Sequence, residues 1–103
     1  MDAELNNLKA ALDAADEFQY ASMIQVALSN EAEKESILTS NDLWGGAGSV
    51  ADQAGLQSPN KEARARIEKA LIQLGRQQLE IGVINQRTEF WVSAFEQIHA
   101  QSI

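Results

Sequence analysis

Leu43-Trp44-Gly45-Gly46-Ala47-Gly48-Ser49-Val50-Ala51-Asp52 is the stretch on which the fold of this chain turns. Three of the six glycines and one of the two tryptophans fall within it. Glycines clustered in this way mark backbone that needs positive φ or close approach, which a Cβ would forbid. The large aromatic beside them pins the turn to a core. Gly45 or Gly46 is expected to supply the left-handed residue that ends a helix. Ser49 then caps the next turn, with Asp52 reaching back to the serine amide at capping-box spacing. Gly55 ends that turn.

On the C-terminal side, Ser58-Pro59 marks a boundary, with serine at the cap and proline at the first helical position, where its missing amide costs nothing. Ala63, Ile67, Ala70, Leu71 and Leu74 then trace one helical face. Gly75 and Gly82 each cost about 1 kcal/mol against alanine inside a helix, so close packing or a break must compensate. The expected solution is two helices, roughly 59–81 and 84–101, with Phe90, Trp91, Phe95 and Ile98 as the last apolar face.

On the N-terminal side, Leu5, Leu8, Leu12 and Ala15 recur at steps of three and four. Phe18, Ala21, Ile24 and Leu28 form a second stripe, which Asp16 and Gln19 introduce at capping-box spacing. Periodicity alone leaves open whether residues 13–18 turn or run straight through. Asn30 with Glu33 opens a short acidic helix holding Glu31, Glu33 and Glu35. Alternating β-branched runs are missing, so the expected class is all-α. The prediction is one small helical bundle over residues 1–103, of four to five helices with a Gly-rich turn at 45–48.

A net charge of −7 argues against nucleic-acid binding, which needs a basic surface. The charge is uneven: residues 1–58 hold ten acidic and two basic groups, residues 59–103 five and six. No cysteine is present, which excludes disulfides, thiolate metal sites and cysteine nucleophiles and fits a reducing compartment. No apolar run reaches the length of a membrane span, and Met-Asp-Ala-Glu-Leu lacks the basic start of a secretory signal. The expected location is therefore cytoplasmic, with no membrane partner.

Residues 43–52 resemble a group of small bacterial helical proteins of unknown function that carry the pattern Leu-(Trp/Phe)-Gly-Gly-x-Gly-Ser-x-x-Asp. Every specified position of that pattern is matched here, at Leu43, Trp44, Gly45, Gly46, Gly48, Ser49 and Asp52. The likeness extends over roughly residues 4–80 and implies a helical fold, with no catalytic residues to carry over. The small stand-alone format looks like that of accessory or immunity proteins.

Chemistry is sparsely signalled. Gly45 to Ser49 could cradle an anion on successive amides, but the lysine of a phosphate loop and the strand of a dinucleotide fingerprint are both missing. Asp42 and Asp52 put negative charge beside that loop, and Asp52 has a plainer use in the cap. Glu31, Glu33 and Glu35 point in different directions from one turn, unlike a converging metal cage. His99 is the single histidine, with Glu96 as its neighbour in sequence. Phe90, Trp91, Phe95 and Ile98 span an apolar arc wider than a small core covers and are the candidate interface. The expected function is therefore non-enzymatic: an accessory or protein-interaction protein without cofactor or metal. It would use an acidic N-terminal half against a basic partner or an aromatic C-terminal helix against a second copy. The alternative is a small-ligand or phosphate-binding protein or enzyme using the Gly45–Ser49 loop.

Overall fold

The computed structural model describes residues 1–101, in which all regular structure is helical. Seven helices occur among the described residues, more than the four to five expected. They are α1 (Asp2–Ala14), α2 (Phe18–Ser29), α3 (Glu31–Leu38), α4 (Asn41–Trp44), α5 (Val50–Gln53), α6 (Lys61–Ile81) and α7 (Thr88–Gln101). The excess comes from α4 and α5, single turns of four residues that flank the glycines. No helix among the described residues is long and apolar enough to cross a membrane.

Helix α1 packs against α2 and α6, α2 against α3, and α6 against α7. One apolar core runs through these layers. Leu5, Leu8 and Leu12 of α1 meet Ile24 of α2 and Ile67, Leu71 and Leu74 of α6, all fully buried. The spacing that marked these faces in sequence is what turns them to one side of each helix.

Where elements end, local chemistry departs from expectation. Residues 13–18 turn. Asp16 takes the left-handed conformation at φ 59°, which aspartate tolerates better than most residues, and the Glu17 amide donates back to the Leu12 carbonyl at 2.9 Å. Asp16 therefore closes α1 instead of capping α2, whose N-cap is Glu17. Asn30 does cap α3, its Oδ1 accepting from Ala32 and Glu33 amides. Pro59 lies outside α6. The cap is Asn60, which accepts from the Glu62 amide at 3.0 Å, while Ser58 Oγ accepts from Asn60.

Helix α6 stops at Gly82, φ 78°, and the Val83 amide returns to the Gln78 carbonyl at 3.1 Å. The two-helix division at this glycine agrees with expectation, but α7 begins at Thr88, four residues after the expected start at 84. Asn85 and Thr88 hold that start: Thr88 Oγ1 accepts from the Asn85 amide and Asn85 Oδ1 from the Arg87 amide, both at 2.9 Å. Gly75 answers to packing. A Cβ there would collide with a Val92 methyl and stand 3.0 Å from the Trp44 ring, so its missing side chain is the space into which α7 and the indole fit.

Candidate functional site

The glycine segment is tied to three helices. Trp44 is fully buried, and its indole nitrogen donates to Gln78 Oε1 on α6 at 3.0 Å. The Gly45 carbonyl accepts from Ser49 Oγ at 3.0 Å and from the Trp91 indole of α7 at 3.3 Å. The Tyr20 hydroxyl of α2 donates to the Gly48 carbonyl at 2.6 Å. Partial burial, then the charges of Glu17, Asp52 and Asp42, push that phenol above its ordinary pKa, so it keeps the proton it donates.

Within the segment, Ser49 Oγ accepts from the Asp52 amide at 3.1 Å, as a capping serine should. Asp52 reaches the Gly48 amide at 3.3 Å, one residue before the predicted serine amide. The left-handed residues are Gly48 and Gly55, with φ 87° and 81°, not Gly45 or Gly46. Gly45 is required for space: a Cβ would lie 2.5 Å from the Asn41 carbonyl oxygen. Leu43 is buried in the core beneath this turn.

A cleft of about 350 Å³ opens over the segment, lined by Asn41, Asp42, Gly46, Ala47, Gly48, Ser49, Gln86 and Arg87. Its lining includes the Arg87 guanidinium and the Asp42 carboxylate. The donors an anion would want are largely committed: the Gly48 amide to Asp52, the Ser49 amide to the Gly46 carbonyl and the Ser49 hydroxyl to Gly45.

Of the four aromatic and apolar candidates on α7, the structure separates two from two. Phe95 is 2% exposed and belongs to the core, stacked on Trp91 with ring centroids 5.5 Å apart. Trp91 is half-buried and anchored to Gly45. Phe90 and Ile98 stand 63% and 51% exposed. The inner face of α7 runs through Thr88, Val92 and Phe95, a phase in which Val92 replaces Ile98. A run with apolar residues at 90, 91, 92, 95 and 98 has several near-equal faces, and packing against Gly75 selects this one.

Three polar groups that the sequence did not single out, Gln78, Arg64 and Glu68, organise the interior. Gln78 sits on the Leu71–Leu74 stripe, and that polar residue on an apolar face was the available signal. Arg64 donates to the carbonyls of Ala51 at 2.6 Å and Ala54 at 2.8 Å, satisfying the open end of α5, and lies over the Phe95 ring. Its Nε also binds Glu68 at 2.8 Å. Glu68, not Glu96, pairs with His99, at 2.9 Å. Glu96 pairs with Arg76 instead. No group of three or more residues suited to holding a metal ion occurs among the described residues.

Glu31, Glu33 and Glu35 of α3 stand with Asp2 of α1 around one lysine. Lys34 donates to Asp2 Oδ1 at 2.7 Å and Glu31 Oε1 at 2.8 Å. The hydrogen bond from Lys34 holds the Asp2 carboxyl below its ordinary range, and the one to Asp2 raises Lys34 above its own. The Asp2 contribution to stability is present above the ordinary aspartate pKa and lost as pH falls through the depressed value. The Lys34 contribution is present below the ordinary lysine pKa and lost as pH rises through the raised one. This tether between α1 and α3 therefore holds across the neutral range. An NMR titration should find Asp2 protonating at lower pH than a free aspartate and reverting in Lys34→Met. An Asp2 midpoint indifferent to that substitution would mean the pair does not form in solution.

No family model, curated protein or solved structure gives a significant match to this chain.

Proposed function

We propose that this protein acts by binding protein surfaces and not by catalysis, with the outer face of α7 as a site of self-association. The observation that carries this reading is the pair Phe90 and Ile98, exposed on one side of a helix whose other side already fills the core. They lie four residues before and after Ala94, or about 12 Å apart along the axis. Such a stripe is self-complementary: antiparallel pairing about a two-fold axis at Ala94 sets Phe90 of one copy on Ile98 of the other. Burial of two such pairs takes Phe90 and Ile98 of both copies out of water. The acidic N-terminal half remains available to a basic partner, which is compatible with an accessory or immunity-like role for a small bacterial protein.

Because the chain has no cysteine, Ala94→Cys provides a direct test. Under mild oxidation it should form a disulfide-linked dimer, and sedimentation should show concentration-dependent association that Phe90→Asp abolishes with little change in thermal stability. A clean monomer at high concentration, with no crosslink at residue 94, would remove the self-association reading.

A ligand-binding reading of the cleft over Gly46–Ser49 has Arg87 in its favour and Asp42 with the committed loop donors against it. A thermal-shift screen of phosphorylated metabolites separates the two, since a ligand at a hundred times its Kd stabilises by about 2.7 kcal/mol.

A further inference from the structure

A second surface, which shares no residue with the α7 stripe, has its own character. A groove of about 330 Å³ runs between the start of α1, one face of α3 and the end of α6. Met1, Leu38, Ile81 and Val83 supply its apolar lining, and Glu31 and Glu35 stand on its rim. Leu38 is buried at 3%, whereas Ile81 leaves 53% of its surface in solvent. This volume is near the lower limit of small-molecule pockets, about 300 Å³, and suits one or two apolar side chains. Lys34 and the Met1 α-ammonium are the cations among the lining residues, and both are already held, Lys34 by Asp2 and Glu31 and the α-ammonium by Glu4 at 3.0 Å. With Asp2, Glu4, Glu31, Glu33 and Glu35 against Lys34 and the Met1 α-ammonium, this end of the molecule is anionic. A phosphate-bearing ligand or an anionic lipid surface would be repelled, and so would a second copy approaching acidic end to acidic end.

We propose that this groove docks a cationic amphipathic segment of a partner protein, an apolar side chain entering between Leu38 and Ile81 while flanking lysines or arginines meet Glu31 and Glu35. The arrangement is helix-in-groove recognition with charge complementarity at the rim. This inference rests on the protein-binding reading above and gives the acidic half a partner of defined chemistry.

The probe is a fluorescein-labelled amphipathic helical peptide of leucine and lysine, about four turns long, compared with a scrambled peptide of the same composition and a leucine–glutamate counterpart. The amphipathic lysine peptide should bind selectively and weaken as salt rises. Its amide shift changes should centre on residues 31–38 and 81–83. Glu31→Gln with Glu35→Lys should weaken it about tenfold by removing rim charge. Ile81→Ser should weaken it about threefold or more through lost apolar contact. Both variants change exposed residues, and unchanged melting would confirm that they fold. Phe90→Asp should leave peptide affinity unchanged. Equal binding of the scrambled peptide, shifts spread over acidic residues away from the groove, or indifference to the groove variants would overturn the proposal. Groove shifts that appear on self-association without peptide would also overturn it, by making the groove a contact between copies. If the peptide fails while Ala94→Cys still crosslinks, only the groove assignment is lost and the protein-binding reading stands.

Discussion

Trp44→Ala is expected to lower the unfolding free energy by about 3–5 kcal/mol, the cost of emptying a fully buried aromatic site. The indole lies beside Gly75, where an added Cβ would stand 3.0 Å from the ring, so no side chain there can swing in to fill the void. Its removal also takes away the donor that Gln78 Oε1 accepts at 3.0 Å. A domain of this size has only about 5–15 kcal/mol of stability, so the variant should unfold at much lower urea. Trp44→Phe keeps part of the packing and should fall between the two. If the alanine variant lost less than about 1 kcal/mol, Trp44 could not be a structural anchor, and a contact role in the cleft would have to be reconsidered.

Gln78→Leu should be nearly as damaging, for a different reason. Leucine fills similar space, so little cavity forms and the loss isolates hydrogen bonding. The glutamine accepts from Trp44 Nε1 and donates to the carbonyls of Leu38 and Val83, each at 2.8 Å. Replacement leaves one buried donor and two acceptors without this partner. Each orphaned buried group costs about 1–3 kcal/mol, and Val83 is open enough to recover water, which brings the expected total to about 2–6 kcal/mol. Equilibrium urea unfolding measures it. Stability within about 0.5 kcal/mol of the parent would mean that water replaces the amide at no cost and that Gln78 is not the fastening between α3, α4 and α6.

The apolar framework was legible because it depends on spacing. Leu5-Leu8-Leu12 and Ile67-Leu71-Leu74 can face one side only if their segments are helical, and they do. Trp44 beside glycines announced burial correctly, and Gly82 announced the end of α6. What spacing could not convey was which polar group answers which. Asp16 looks like a cap, yet at the end of α1 its tolerance for left-handed backbone decides its use. Pro59 looks like a first helical residue, but Asn60 takes the cap. His99 finds Glu68, a residue 31 positions away, over the nearer Glu96. The phase of α7 was likewise hidden, because five apolar residues between 90 and 98 offer alternative faces and only docking on Gly75 chooses between them. At the glycine segment the chemistry of Ser49 and Asp52 was readable. The cleft above it needed Gln86 and Arg87, brought in by a turn that sequence periodicity does not encode.

The supports of α4 and α5 have a consequence for the order in which the molecule assembles. Each is a single turn of four residues, far below the dozen or so residues at which an isolated helix becomes marginal in water. Arg64 satisfies the carbonyl end of α5, Gln78 fixes Trp44 at the end of α4, and Trp91 holds Gly45. All three come from helices later in the chain. Residues 41–53 therefore consolidate only after α6 and α7 have met, as a late-closing clasp and not a nucleus. Pulse-labelling hydrogen exchange during refolding should show the Val50–Gln53 amides gaining protection after those of Lys61–Ile81. The reverse sequence would mean that the short turns organise the long helices.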